Sequence, residues 1–338
     1  MVSAWERVRT SIAGPTETSS SDAQREPLAD RVPVTILAGF LGSGKTTLLR
    51  HLLLGDHGLT LAAIVNDYGA VNIDAKLIAR AGVDVLELTN GCSCCTLGAN
   101  LGQTIAGLTA SARRPDAIVI EASGVADPAG IATTLGACPN VKLDGILSVV
   151  DASAFELRLR QPATASILQR QLDAAHIIVL NKADRVAPGA LESLVDRLAS
   201  LVPGRPVLAT EHGRIDPVVA LGAAHRGARP EPQRIAHDDN PLTSKTLRLA
   251  GPISRKRLTE FLEALPEGIL RIKGLVAVTD APRQLQLVQA VGRSWTIDPL
   301  EENGHANPAD NHLVVIGFEE AVEASRLLSP TGVVSTPG

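Results

Sequence analysis

From residue 33 the chain carries two alternating hydrophobic rhythms. Short runs that are apolar at consecutive positions, "VTILAG", "LAAIVN", "VDVLEL", "DAIVIE", "ILSVV" and "HIIVL", are separated by stretches long enough for helices. Strands buried on both faces read as continuous apolar runs, and their alternation with helices predicts a mostly parallel, doubly wound α/β sheet. The rhythm breaks at "AAHRGARPEPQRIAHDDNPLTSK", where Pro, Gly, Arg and Asp replace the periodicity, as in a linker. Beyond it, "KTLRLAG", "ILRIKGLVAVTD", "RQLQLVQAVG" and "HLVVIGF" read as strands. "SRKRLTEFLEAL" reads as a helix opening on Ser254, and "EEAVEASRLL" as a closing helix. The expected organisation is a disordered tail over 1–32, a P-loop α/β domain over 33–224, a linker over 225–243, a smaller α+β domain over 244–329 and a fraying tail over 330–338.

Composition narrows the function classes. The 32 basic and 36 acidic side chains give a formal charge of −4, with no basic excess to neutralise a phosphate backbone. Four Phe, two Trp and one Tyr leave few platforms on which unpaired bases could stack, so nucleic acid is not an expected partner. No apolar run approaches the roughly 20 residues that span a bilayer, and no membrane partner is expected. The opening segment is rich in Ser, Thr, Pro and charge and lacks an apolar signal region, so it reads as a retained mobile tail. A short docking helix over "SAWERVRT" is the alternative. Four cysteines in 338 residues do not form a disulfide framework, which points to a reducing compartment and a cytoplasmic location.

"GFLGSGKT", residues 39–46, fits G-x-x-x-x-G-K-[ST], follows a strand directly and runs into the helical pattern "TTLLRHLL". Gly39, Gly42 and Gly44 let the backbone turn tightly, and the N–H groups from Ser43 to Thr47 are placed to wrap phosphates where the helix dipole adds positive charge. Lys45 would reach the β- and γ-phosphates, and the Thr46 hydroxyl would coordinate Mg²⁺. "VLNKAD" ends a strand and matches N-K-x-D, the guanine-reading signature. Asp184 would accept from guanine N1–H and the exocyclic amine, Asn181 would hold the loop and approach the base edge, and the stem of Lys182 would cover the base face. A mismatched base strands the carboxylate without its donors, so such pairing can discriminate by about 10⁴-fold. On its own, the same tetrapeptide is equally a helix cap or a solvated turn.

"AIVIEASGVADP" puts Glu121 at a strand end, where it can meet Mg²⁺ through water, and puts Gly124 where its N–H can sense the γ-phosphate. Glu121 could alternatively cap the next helix. Asp74, in "VNDYGAVNID", falls where a first switch belongs. Asp151 ends "SVVD" as a strand-end acid that could equally be structural, and it is not taken as catalytic.

"NGCSCC" crowds Cys92, Cys94 and Cys95 onto one turn. Adjacent cysteines bridge only through a strained ring, and three thiolates leave a tetrahedral shell open, which suits an exchangeable transition metal. Redox chemistry or a buried cluster remain alternatives. Cys138 reads as a buried or incidental thiol. In order, "GFLGSGKTTLL", "VNDYGAVNID", "NGCSCC", "EASGVADP" and "VLNKAD" resemble the CobW-type family of P-loop GTPases, siblings of the urease and hydrogenase nickel-insertion GTPases. The likeness covers about residues 33–210, and "LPEGILRIKGLVAV" and "HLVVIGF" are similar to the family's second domain.

The resemblance implies a GTP-dependent metal chaperone or insertase. Cys92, Cys94 and Cys95 would be ligands for zinc first and cobalt second, GTP and Mg²⁺ the nucleotide cofactors, a client metalloprotein the partner, and a homodimer possible. Two departures from the family are present. Its N-E-F-G-E-V-G-I-D becomes "NDYGAVNID", so Asp67 keeps a shortened acid while Ala70 replaces the second glutamate. The histidine-rich tract of many members is reduced to His225 and His237. Rival readings are a P-loop kinase acting on a small molecule and a regulatory GTP-binding module with structural zinc.

Overall fold

The computed structural model describes residues 31–55, 57–65, 84–87, 94–222, 234–235, 242–300 and 311–327. The expectations placed on residues 1–30, Asp67, Ala70, Asp74, Cys92, His225, His237 and residues 330–338 lie outside those residues. The chain divides into two compact units, each with its own sheet.

The first unit runs β1 (Val32–Ala38), α1 (Lys45–Leu54), β2 (Leu61–Val65), β3 (Asp84–Glu87), α2 (Cys94–Ala110), β4 (Ala117–Glu121), α3 (Pro128–Gly136), β5 (Val141–Asp151), α4 (Phe155–Arg160), α5 (Pro162–Ala174), β6 (Ile177–Asn181), α6 (Pro188–Leu201), β7 (Val207–Thr210) and α7 (Pro217–Leu221). Its seven strands lie in the order β3-β2-β4-β1-β5-β6-β7, and every neighbouring pair is parallel. All residues of β1, β2, β4 and β6 are buried, as the continuous apolar runs require. On one face Val34, Ile36, Ile118 and Ile120 pack with Leu101, Ile105, Ile131 and Leu135 from α2 and α3. Further along the same face, which the register carries from Ile36 through Ile146 to Val150 and Leu180, Val150, Ile178 and Leu180 pack with Phe155, Leu168, Leu172 and Leu198 from α4, α5 and α6. Each such side chain stabilises the fold by about 1.5–3 kcal/mol relative to exposure, so the two clusters fix the sheet firmly enough to hold loops at its edge.

β1 lies between β4 and β5, so the connections leave it on opposite sides of the sheet and a crevice opens at its carboxyl end. Local chemistry sets the surrounding helices. The Asp127 and Asp216 side chains accept from Ala129 N and Val218 N, each with proline at the first helical turn. Pro162 keeps Gln161 extended, at φ −94° and ψ 115°, so α4 stops and the chain turns into α5 as a helical hairpin.

The second unit runs β8 (Arg234–Ile235), β9 (Leu242–Arg248), α8 (Arg255–Glu263), β10 (Ile269–Val278), β11 (Ala281–Val291), β12 (Ser294–Pro299), β13 (His312–Phe318) and α9 (Glu319–Leu327). Its sheet is antiparallel throughout, in the order β12-β11-β10-β13-β9-β8. Leu258, Phe261 and Leu262 of α8 and Val322 of α9 pack on Ile272, Val276, Val288 and Val315. Ser254 caps α8 as expected, its Oγ accepting from Arg257 N at 3.3 Å.

The structure shifts several expected boundaries. β1 begins at Val32, which is 3% exposed and lies within the stretch read as tail. β8 and the first two residues of β9 fall within 225–243, the expected linker, because Leu242 pairs with both Phe318 and Ile235. β7 and β12 went unrecognised. β7 is only four residues long, and β12 is an edge strand whose residues are half-exposed, so neither writes a strong apolar signature. No helix among the described residues is long and apolar enough to cross a membrane.

Candidate nucleotide site

In the loop joining β1 to α1, five successive carbonyls accept from side-chain donors. Lys45 Nζ donates to Gly39 O at 2.9 Å and Phe40 O at 3.3 Å, Arg158 Nη2 to Leu41 O at 3.0 Å, Lys182 Nζ to Gly42 O at 2.7 Å and Asn181 Nδ2 to Ser43 O at 2.9 Å. Peptides here are planar and trans, so a carbonyl fixed on the outer side puts the following N–H on the opposite side. The exception is Ser43, whose N–H closes a turn on Phe40 O at 3.2 Å. The outcome is a concavity of backbone N–H groups at a helix start, the arrangement that binds phosphate. The Ser43 hydroxyl is fully buried and has no hydrogen-bond partner among the described residues, as expected of a donor whose acceptor is a ligand. Glycine is obligatory at Gly39 and Gly44. Their φ values are 138° and 104°, and a Cβ would collide with Val149 O at the first and with Asn181 Nδ2 at the second.

Beside the loop, Thr46 Oγ1 donates to Glu121 Oε1 at 2.7 Å, bringing the first residues of α1 to the end of β4. Glu121 is 7% exposed and Lys45 6%, so both charges sit largely out of water. An aligned hydroxyl and carboxylate form an oxygen donor set that suits a hard divalent cation such as Mg²⁺. Gly124 follows on the same loop and packs on Leu41. The amide of Gln171, buried on α5, donates to Gly124 O at 3.1 Å and Ala126 O at 3.3 Å.

At the end of β6, Asn181 is 2% exposed. Its Nδ2 donates to Ser43 O, and its Oδ1 accepts from Gly213 N at 2.9 Å, so one amide ties together the P-loop, β6 and the loop after β7. Lys182 takes a left-handed conformation, φ 64°, which turns its side chain back across Gly42 towards Asp151 Oδ2 at 2.7 Å. Asp151 Oδ1 also accepts from Ser153 N and Ser153 Oγ. Burial alone would push this carboxyl up. Hydrogen bonds from Lys182 and Ser153 and the charges of Lys182 and Arg158 outweigh it and hold the carboxyl below its ordinary value. Asp184 lies in a short 3₁₀ turn, Ala183–Arg185, and its exposed carboxylate comes together with Glu211 and His212, their nearest ligand atoms within 4.8 Å of one another.

Lys45, Thr46, Glu121, Asn181 and Lys182 are therefore gathered at the carboxyl ends of β1, β4 and β6, with Gly39, Gly42, Ser43 and Gly44 forming the loop between them. Thr47 is exposed, and Cys94 and Cys95 are the first two backbone positions of α2. Cys138 Sγ donates to Thr134 O at 3.5 Å and packs against the core, and burial pushes its thiol up. Three contributors lie outside the expected site residues: Asp151, a strand-end acid in the sequence that here anchors Lys182, and Arg158 and Gln171, which reach the loops from the α4–α5 hairpin. The strand-end position of Asp151 was a usable signal. Arg158 and Gln171 write none, because they touch only backbone carbonyls far away in sequence.

Comparison with known proteins places the chain in a family. Residues 33–209 match the family model "CobW/HypB/UreG, nucleotide-binding domain", and residues 242–328 match "Cobalamin synthesis protein cobW C-terminal domain". The zinc chaperone YjiA of Escherichia coli is 32% identical over 318 residues, covering 87% of this chain and 96% of that protein. The zinc chaperone CobW of a Sinorhizobium species is 29% identical, covering 90% of this chain and 98% of that protein. The solved structure of Zn(II)-bound YjiA GTPase from E. coli is 28% identical, covers 88% of this chain and 98% of that chain, and has a TM-score of 0.45. Two family models that together span both units, and a relative matched along nearly its whole length, establish that this chain belongs to the CobW/HypB/UreG family.

Proposed function

We propose that the chain is a GTP-hydrolysing metallochaperone that takes a thiophilic transition metal, zinc before cobalt, on Cys92, Cys94 and Cys95 and delivers it to a client protein. The reading is carried by the Asn181 amide. It joins the phosphate loop to the N-K-x-D segment, so the cradle for a triphosphate and the residues suited to guanine are fixed relative to each other. Asp184 and the stem of Lys182 read and cover the base, Lys45 and the loop N–H groups hold the β- and γ-phosphates, and the Gly124 N–H senses the terminal phosphate. Thr46 and Glu121 would hold Mg²⁺, which would supply positive charge to offset the charge of the phosphates. Asp74 belongs to the first switch.

α2 begins at Cys94, on the connection that follows β3. A helix start favours anionic sulfur, and three soft thiolates suit zinc or cobalt(II) with a position left for exchange. The relatives named zinc chaperones support this choice of cargo. The site is proposed to tighten when GTP draws the switch segments together and to loosen after hydrolysis. Titration of zinc into the purified protein, with GDP and with a non-hydrolysable GTP analogue, tests the reading. Linkage requires zinc and the GTP analogue to strengthen each other by the same factor, typically about 5- to 150-fold. Equal zinc affinity in the two nucleotide states overturns it.

A further inference from the structure

Four of the five pinned carbonyls are held by residues of the two sequence motifs, Lys45, Asn181 and Lys182. The fifth, Leu41 O, is held by Arg158, which belongs to neither motif and comes from α4. The same guanidinium lies over the Phe40 ring, its Cζ 4.9 Å from the centroid, a cation–π contact that orients the fork. Two residues of the loop thus fix one arginine, and that arginine fixes the loop. The Lys182 charge is matched by Asp151 at 2.7 Å, whereas Arg158 has no carboxylate so close among the described residues.

Leu41 is the third residue of the loop and follows the two carbonyls, Gly39 O and Phe40 O, that accept from the ammonium of Lys45, the group that reaches the β- and γ-phosphates in this motif. Leu41 also touches Gly124, whose carbonyl is held by Gln171 of α5. One helical hairpin therefore grips both segments that border the terminal phosphate: Arg158 holds the P-loop side and Gln171 the Gly124 side.

We propose that Arg158 is a positioning residue for GTP hydrolysis. It turns the Leu41 carbonyl outward so that the Gly42 N–H faces the γ-phosphate, and it brings a positive charge, which Asp151 also feels, to that end of the cradle. The inference rests on the GTPase reading above. It differs from a general structural role because its effect falls on the terminal phosphate and leaves the diphosphate portion largely untouched.

Arg158→Ala and Arg158→Lys are compared with the parent in the full chain, by phosphate release at saturating GTP and by fluorescence titration with labelled GDP and a labelled non-hydrolysable GTP analogue. A charge-assisted hydrogen bond to the loop predicts that Arg158→Ala lowers kcat by about tenfold to a hundredfold and weakens the GTP analogue, with GDP affinity changed less than about threefold. Arg158→Lys retains a donor for Leu41 O and falls between the two. Added guanidinium ion at millimolar concentration raises the Arg158→Ala rate and leaves the parent rate unchanged. A parental kcat in Arg158→Ala overturns the inference, and so does equal weakening of GDP and GTP analogue. If Arg158→Ala does not fold, Arg158→Lys decides alone: a selective loss of kcat with normal GDP affinity upholds the proposal, and parental kcat overturns it. A parent that neither binds nor hydrolyses GTP would instead overturn the GTPase reading itself.

Discussion

Gly124 and Leu41 touch so closely that no side chain fits between them: a Cβ on Gly124 would lie 2.5 Å from Leu41 Cγ and 2.7 Å from Leu41 N. The contact joins the loop after β4 to the phosphate loop, so movement in one is felt by the other. Gly124→Ala must push Leu41 away and disturb the Arg158 hydrogen bond on the same residue. Overpacking of this kind costs about 1–3 kcal/mol. The expected outcome is a stability loss of that size by chemical denaturation, together with a fall in GTP hydrolysis that exceeds the loss in GDP affinity. Hydrolysis at the parental rate would show that the two loops are not coupled through this contact.

Asn181 presents a different kind of vulnerability, because both ends of one buried amide are engaged. Asn181→Ala leaves Ser43 O and Gly213 N without their partner, and stranding buried backbone groups costs about 1–3 kcal/mol each. Asn181→Asp keeps the acceptor for Gly213 N but aims a carboxylate oxygen at Ser43 O. Both variants are expected to lower the denaturation midpoint and weaken GDP as well as GTP, in contrast to Arg158→Ala. Normal nucleotide affinity in Asn181→Asp would remove the latch from the account of the site.

The parallel sheet and the phosphate loop were legible in the sequence because their physics is local. Continuous apolar runs such as 177–180 announce strands buried on both faces, and the glycines at 39, 42 and 44 announce positive φ before a helix. What stayed hidden is non-local. Lys182 was read for its aliphatic stem, yet its ammonium group bridges Gly42 O and Asp151, 140 and 31 residues away in sequence. Arg158 reaches Leu41 across 117 residues, and no spacing rule anticipates a side chain that pins a distant carbonyl. β12 escaped for another reason: an edge strand that is half-exposed lacks the apolar alternation by which strands are recognised.

The Asp151–Lys182 pair predicts a defined pH dependence. The Asp151 carboxyl is held below its ordinary value near 3.8, so its contribution to stability is complete above that pH and is lost as pH falls through the lower folded-state value. Asp151→Asn removes the partner of Lys182 and is expected to cost about 3–5 kcal/mol at neutral pH if the pair behaves as fully buried, and less in proportion to the solvent reaching Lys182. Denaturation of the parent and Asp151→Asn from pH 7 downwards should show a constant gap in midpoint above about pH 4 that narrows below it. A gap that stays constant to pH 3 would mean that the stabilisation does not come from the ionised carboxylate.

If Thr46 and Glu121 hold Mg²⁺ as proposed, their substitution changes the metal dependence of the site. The hydroxyl donates to Glu121 Oε1, which leaves its oxygen lone pairs available to a cation. Glu121 thereby orients Thr46 and supplies negative charge beside it. Thr46→Ser keeps the hydroxyl and should retain hydrolysis, whereas Thr46→Ala should raise the Mg²⁺ concentration needed for half-maximal phosphate release by about tenfold or more, as expected for loss of one oxygen ligand worth at least 1.4 kcal/mol. Glu121→Gln preserves shape and the acceptor but removes the charge, so it should raise the Mg²⁺ requirement while leaving GDP affinity without Mg²⁺ unchanged. Phosphate release measured against Mg²⁺ concentration separates these outcomes. An unaltered Mg²⁺ requirement in both Thr46→Ala and Glu121→Gln would place the cation elsewhere and leave the Thr46–Glu121 hydrogen bond as a tie between α1 and β4.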